Sequence, residues 1–567
     1  MSDQYNQYRM KLEGVQQRPL SVARGRCAVA SVSGEATKLA IDVLKDGGNA
    51  FDAAFMLALS LSVCHPQAGN LGGGGYLIFK EAQSKTPLVY NYRERSSSNA
   101  RRNYYLNKDS TVNPDLTAFG PSSVCVPGTV RAFYILQRRY GVCNPKDLLG
   151  HLAALSRRGC SITDYQAQCL NRLRSKLIHS PGSRKIYVKE RGSFQRGDLL
   201  PNADLAKTFE SLAKEGEDSF YSGEIAERIE NDITANGGFV TVGDLQNYTV
   251  CEATPIASEL DGFTIWTVPP EGGGAILIEI INILKREGFI DIQPYTVDFF
   301  HYLAQAAKLA FINRMAYMGD CEFDHIDAYV SIFNRDNSRD RYDLIETDRD
   351  IPTIEYVSKL HREGFVNVQE PGAGGSQTTH FSIVDDQGNA VSNSYTLNLR
   401  YGSKWTVKGT GVLMNGSTDS FSFIPGKPNY FGVIGNHMNL FEPNKRPASN
   451  MAPVLVTKGK NVHLMIGTPG GPTIPTSLAA ILFAVLVHNI PPWDSIGEGR
   501  VHHQAWPDVL YREDDVRLVA KEKGLAAKGY TIRQRTEPIG DMQGIFRDEN
   551  GYLAISDYRR EGSALSI

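Results

Sequence analysis

The chain has 567 residues, 41% of them hydrophobic and 22% charged, with 60 Lys+Arg against 62 Asp+Glu for a net charge of −2. This composition supports a large buried core and excludes a generally disordered chain. The charge balance lacks the basic face that nucleic acid binding needs, and none of the apolar runs reaches the ~20 residues a membrane helix takes.

The N-terminal stretch MSDQYNQYRMKLEGVQQ is polar and lacks the apolar core of a secretory signal, so the expected compartment is the cytoplasm. Glu35–Lys45 has one apolar helical face, and Gly47-Gly48 ends it as a C-cap. Ala50–Cys64 is apolar on nearly every side, which predicts a buried helix ending at Pro66. Residues 69–75, GNLGGGG, read as a flexible loop before a short strand at Tyr76–Lys80. From about residue 128 to 320 the pattern is mostly helical, as in Thr129–Arg139, Ile225–Asn236 and Ala275–Arg286. Residues 334–377 are charged and then rich in Gly and Ser, and such segments run exposed over a surface, where a chain break costs little. Strands follow: His380–Asp385, turn residues 386–389, and a return strand Ala390–Asn398. Helices before and strands after point to a layered fold with both element types. The eight cysteines form no CxxC pair, so they read as reduced structural thiols.

Two places carry chemistry. Threonine can act as a nucleophile when it heads a chain, because its own α-amine then serves as base. That amine has a reference pKa of ~7.7–8.0, suited to neutral pH. Thr378 is internal, so it gains this base only if the bond after Gln377 breaks. The Gly- and Ser-rich lead-in suits a strained, accessible bond there. Thr396 and Asn398, two apart on the return strand, share a face from which a hydroxyl and an amide can orient the Thr378 hydroxyl and amine. Further on, IGTPGGPTI at 466–474 precedes a helix reaching about His488. Gly470 and Gly471 there allow close approach of a ligand to consecutive N–H groups at a helix start, an oxyanion or anion site.

The run QTTHFSIVDDQGNAVSNSYTLN (377–398) resembles the processing site of the γ-glutamyltranspeptidases, also called glutathione hydrolases. In the same order, GGNAFDAA (47–54), GNLGGGGYLIF (69–79), NYRERSS (91–97) and VPGTV (126–130) are similar to the family's large-subunit motifs. NKRPASNMAP (444–453), GTPGG (467–471) and RVHHQ (500–504) are similar to its small-subunit motifs. The resemblance implies an α+β fold, the four-layer αββα sandwich of the N-terminal-nucleophile hydrolases, shared by two fragments, 1–377 and 378–567, that stay together as a heterodimer. It implies Thr378 as nucleophile, Thr396 and Asn398 as the residues that hold it, and Gly470 and Gly471 as oxyanion donors. Arg93 then pairs with a substrate carboxylate, an arrangement guanidinium suits by its bidentate geometry, and Ser449 contacts the same group. No metal or organic cofactor is implied. The partner is a small-molecule amide with a carboxylate, not nucleic acid or membrane.

Two positions depart from the family pattern. Within NGSTDSFSF (415–423), Asp419 keeps the first of two family acids, but Ser420 stands where the second holds the substrate α-ammonium. Asn450 stands at the second of two carboxylate-binding serines. Removing one partner of a buried ion pair typically costs ~3–5 kcal/mol, enough to reverse a substrate preference. The resemblance as a whole implies a self-processing N-terminal-threonine hydrolase/acyltransferase that cleaves a γ-glutamyl or related small amide through an acyl-enzyme. The alternatives are a relative of altered specificity acting on a substrate without a free α-amino group (an amide acylase, or a carbon–carbon bond hydrolase of natural-product pathways) and an inactive scaffold. The segment 424–443 resembles the family's pocket-covering loop, with Tyr430 or Phe431 as its gate.

Overall fold

The computed structural model describes residues 20–323, 327–332, 340–360, 376–430 and 432–567. The hairpin expected near Thr378 forms, as strands Ser376–Val384 and Ala390–Leu399 closed by an Asp385 N–H to Asn389 carbonyl bond of 3.1 Å. These strands lie at the centre of a seven-stranded antiparallel sheet. Its order is Ser563–Ser566, Ala28–Ser31, Ser376–Val384, Ala390–Leu399, Gly74–Lys80, Leu88–Asn91, Cys251–Ala253. A second antiparallel sheet of seven strands faces it, in the order Ser21–Gly25, Gly551–Ser556, Gln543–Asp548, Asn461–Gly467, Val454–Lys458, Phe263–Thr267, Ile256–Leu260.

Strand alternation decides what each face of the hairpin meets. Phe381, Ile383, Val391 and Tyr395 join an apolar cluster with the helices Gly34–Lys45 and Ala50–Cys64, which cover the outer face of the first sheet. The opposite face carries Thr378, His380 and Ser382, paired directly with Thr396, Ser394 and Ser392. This polar ladder looks across at the second sheet. Ser382 Oγ donates to the Gln543 carbonyl at 3.1 Å, and the His380 ring lies against Gly467, whose missing Cβ would come within 2.3 Å of it. The helices Gly274–Leu284, Val297–Tyr317 and Thr473–Leu482 cover the outer face of the second sheet. The result is the αββα sandwich in four layers.

The Ala50–Cys64 helix is buried over its whole length, as its unbroken apolar sequence requires. A reciprocal capping box between Asn49 and Asp52 starts it. Among the described residues no helix is long and apolar enough to cross a membrane. All eight cysteines are free thiols.

Two expectations are corrected. The glycine run at 72–75 is not a loose loop: it is buried and enters the sheet. A Cβ on Gly73 would stand 2.2 Å from the Thr396 carbonyl oxygen, and one on Gly75 2.3 Å from that of Ser394. The glycines are there so that the neighbouring strand can come this close. The charged segment before Thr378 is also not wholly a surface run, since residues 340–360 dock on the long helix Val297–Tyr317. Lys308, fully buried, pairs with Asp350 at 2.5 Å and Asp508 at 2.9 Å, and the Tyr356 hydroxyl donates to Gln305 Oε1 at 2.7 Å. Charges that read as surface have opposite charges waiting in the core. Residues 361–375, the rest of the expected lead-in, lie outside the described residues.

Candidate active site

Gln377 and Thr378 sit where the hairpin register slips by a bulge between Ser376 and Thr378, with Thr378 opposite Thr396. The bond between them is buried: Gln377 is 0% and Thr378 3% exposed. The expectation of an accessible bond is thus corrected. With its amide oxygen turned toward Arg400, the Gln377 side chain accepts from Arg400 Nε at 2.7 Å and from the Tyr165 hydroxyl at 2.8 Å. A protease from outside has no approach to this bond, whereas groups beside it do.

Those groups form a chain. The Asn398 N–H donates to Thr396 Oγ at 2.8 Å, and the Thr396 hydroxyl donates to the Gln377 carbonyl oxygen. Linked hydrogen bonds polarise one another, so the carbonyl next to Thr378 is the end of a relay. Asn398 has a φ of 71°, a left-handed conformation Asn tolerates better than most residues. Its side chain donates from Nδ2 to the Gly416 carbonyl at 2.8 Å and accepts the Ser420 hydroxyl on Oδ1 at 2.9 Å. This differs from the expected role. In the continuous chain the Thr396 hydroxyl, itself held by the Asn398 N–H, bonds the carbonyl before Thr378, and the Thr378 hydroxyl has no hydrogen-bond partner among the described residues.

Thr378, Thr396 and Asn398 open on a cleft of about 460 Å³ that also exposes Arg93, Ser420, Ser449, Asn450 and Gly471. Most residues singled out in the sequence therefore meet in one place. Gly470 and Asp419 do not line it. Gly470 stands one residue back in the loop that leaves the strand Asn461–Gly467 and enters the helix Thr473–Leu482. Its φ of 142° and the 60° of Gly471 are left-handed, and a Cβ on Gly470 would lie 2.2 Å from Thr473 Oγ1. Among the described residues neither glycine N–H has an acceptor. Free amides at the start of a helix attract developing negative charge.

Asp419 lines an adjoining cleft of about 400 Å³, which shares Ser420 and Asn429 with the first. Burial pushes its carboxyl up to about 7, despite bonds of 3.3 Å from the Tyr430 N–H and the Thr117 hydroxyl. Ser420, beside it, brings no charge. Tyr430 lies edge-on to Phe119 and does not line the Thr378 cleft, where Asn429 does. Phe431 lies outside the described residues.

The cations complete the electrostatics. Arg93 is buried and its Nη1 pairs with Glu94 at 2.7 Å, while Glu94 also takes the Ser417 hydroxyl at 2.8 Å. Ser449 is fixed by its N–H to the Glu271 carbonyl at 2.9 Å. Arg314, from the last turn of Val297–Tyr317, reaches into the same cleft and donates from Nε to Asn450 Oδ1 at 2.9 Å. The sequence reading missed it. The available signal was a lone arginine in the apolar helical run AAKLAFINRMAY (306–317), which is weak without the fold.

Two facing antiparallel sheets between helices, with a threonine at the head of a central strand, define the N-terminal-nucleophile hydrolase class. Cephalosporin acylase from Bacillus halodurans shares this fold at a TM-score of 0.81, with 23% identity and 99% of each chain covered. The chain belongs to the γ-glutamyltranspeptidase family, whose model (Gamma-glutamyltranspeptidase) matches residues 36–567. It is 34% identical over 539 residues to the glutathione hydrolase proenzyme of Escherichia coli (strain K12), covering 93% of this chain and 89% of that one. The γ-glutamyltranspeptidase of Helicobacter pylori superposes at a TM-score of 0.54 and 32% identity over 57% of this chain and 92% of that chain. The protein is thus an enzyme of hydrolase/acyltransferase type, not a bare scaffold.

Proposed function

We propose that the chain cuts itself between Gln377 and Thr378 and that the freed Thr378 then cleaves a small amide through an acyl-enzyme. The observation that carries this is the Thr396 hydroxyl bonded to the Gln377 carbonyl, next to an unengaged Thr378 hydroxyl. In the first stage Thr378 Oγ attacks the Gln377 carbonyl carbon. The C–N bond breaks as the nitrogen takes the proton, leaving an ester on Oγ. Water hydrolyses that ester, giving a Gln377 carboxylate and a Thr378 α-amine. In the second stage the amine takes the Oγ proton, Oγ attacks the substrate amide, and the N–H groups of Gly470 and Gly471 receive the oxyanion. The amide C–N bond then breaks, the Thr378 ammonium gives its proton to the departing amine, and the acyl group stays as an ester on Oγ. Arg93 and Ser449 take a substrate carboxylate. The acyl group then passes to water or to an amine. The fragments 1–377 and 378–567 act as a heterodimer.

Within this reading, the substrate departs from an ordinary γ-glutamyl amide. Ser420 gives its hydroxyl to Asn398, so no carboxylate faces the place of an α-ammonium, and the nearby Asp419 carboxyl is held toward its neutral form. Purified protein run on denaturing gels, with Thr378→Ala beside it, tests the cut. Two bands that merge into one in the variant are expected, and one full-length band in both would sink the proposal. Turnover of paired amides with and without an α-amino group tests specificity. Preference for the amide without it, and a gain on γ-glutamyl anilide in Ser420→Asp, are expected.

A further inference from the structure

The charges around Thr378 do not balance. Arg93 has its carboxylate in Glu94. Arg314 is 6% exposed, and among the described residues no carboxylate lies within ion-pair distance of it. Among the described residues its guanidinium hydrogen-bonds to a neutral amide, Asn450 Oδ1. Burial does lower its pKa, to about 10, so at neutral pH it still carries its charge. A buried cation without a counter-ion is costly, and proteins keep such groups where a ligand supplies the missing charge. Arg314 stands at the junction of the two clefts and lines both. Beside it, Ser420 replaces an acid with a hydroxyl. The exposed Lys427 adds a further cation at the wall of the adjoining cleft, while the acid that lines it, Asp419, is pushed toward its neutral form by burial. The side of the site away from Arg93 therefore favours an anion.

We propose that Arg314, oriented by Asn450, binds a second carboxylate of the substrate, so that the preferred acyl group is a dicarboxylate with the second acid in place of an α-ammonium. Asn450 occupies Nε of the guanidinium and leaves the Nη edge for the ligand. Arg93 takes one carboxylate and Arg314 the other, and the acyl chain runs from the carbon that bears both to the scissile carbonyl at Thr378. This inference rests on the proposed amide-cleaving role of Thr378 and adds the substrate class to it.

Three p-nitroanilides that differ at one position separate the possibilities: γ-glutamyl, with its ammonium; glutaryl, with hydrogen; and the analogue with a second carboxylate. Wild-type kcat/KM is expected to rise in that order. A charge-assisted contact to buried guanidinium supports a preference of about 10-fold or more for the dicarboxylate over glutaryl. Arg314→Gln should remove that preference, lowering kcat/KM for the dicarboxylate anilide at least about 10-fold more than for the glutaryl one, and Arg314→Lys should restore part of it. Binding of the free acids to the wild-type enzyme, followed by calorimetry, reads the same contact without chemistry. The free acid of the doubly charged acyl group, propane-1,1,3-tricarboxylate, should bind at least about 10-fold more tightly than glutarate. Equal binding of the two acids, or an equal loss on both anilides in Arg314→Gln, overturns the inference. Thr378-dependent turnover without a dicarboxylate preference would defeat this inference alone. Turnover that survives Thr378→Ala would defeat the proposed function instead.

Discussion

Thr396 gives the sharpest test at the residue scale. Val has nearly the shape of Thr without the hydroxyl, so Thr396→Val removes the donor to the Gln377 carbonyl and little else. Loss of one donor to a developing oxyanion costs about 10²–10³ in rate. The cut, followed on gels after refolding or synthesis, should slow by that factor, while the folded structure by circular dichroism stays the same. Thr378→Ala removes the proposed nucleophile, and amide turnover should fall at least about a thousandfold. Asp419 makes a prediction about pH. Its folded-state carboxyl titrates near 7 against an ordinary value of 3.8. Between those values the unfolded chain has released the proton while the folded chain retains it, so the wild type loses stability as pH rises. In Asp419→Asn that slope disappears. The wild type minus variant difference in unfolding free energy should therefore fall from pH ~4 to pH ~7 and then level off. A flat difference across this range would show that burial does not hold the proton.

Close approach governs the element scale. Gly73 and the strand Gly74–Lys80 approach Ala390–Leu399 so closely that a Cβ on Gly73 or Gly75 would overlap a carbonyl oxygen of the neighbour. Gly75→Ala has no soft neighbour to displace, since the added carbon meets the Ser394 carbonyl oxygen and the Cα and Cβ of Tyr395. It should cost about 1–3 kcal/mol, the range for overpacking, and should also slow the cut, because Thr396 shifts with its strand. Gly150→Ala is the control. It lies in the helix Pro145–Arg158 with nothing within 4 Å of the added carbon, so it should be neutral or stabilising by up to about 1 kcal/mol. Thermal melts of both variants decide the matter. The same elements show what periodicity can and cannot carry. The helices at 34–45 and 50–64 and the hairpin at 376–399 were legible, because local apolar spacing and turn residues set them. The glycine run was misread as a loop because nothing local records how near a second strand comes.

At the scale of the whole molecule, both sheets draw strands from either side of the proposed cut. In the sheet of Thr378, Ala28–Ser31, Gly74–Lys80, Leu88–Asn91 and Cys251–Ala253 precede it and Ala390–Leu399 and Ser563–Ser566 follow. The other sheet is mixed in the same way. A single broken peptide bond leaves this pairing intact, so the two fragments should elute as one species in native size-exclusion chromatography and separate only in denaturant. Elution as two species without denaturant would contradict this. The docking of residues 340–360 onto Val297–Tyr317 adds to the coupling, since Lys308 meets Asp350 before the cut and Asp508 after it.

The sequence by itself determined the family, the hairpin that carries Thr378 and most of the residues that line the cleft. A threonine that needs its own amine, a Gly-Gly turn before a helix and a set of ordered motifs are local facts, written in adjacent residues. It also showed that Ser420 and Asn450 break the family pattern. Only the tertiary structure decided what surrounds those two positions. It moved Asp419 into an adjoining cleft, gave Arg93 a partner in Glu94, and brought Arg314 across from a distant helix to Asn450. Charge balance is a property of space: a guanidinium 136 positions away from its hydrogen-bond partner leaves no trace in spacing or periodicity, yet it sets the field that a substrate at Thr378 meets.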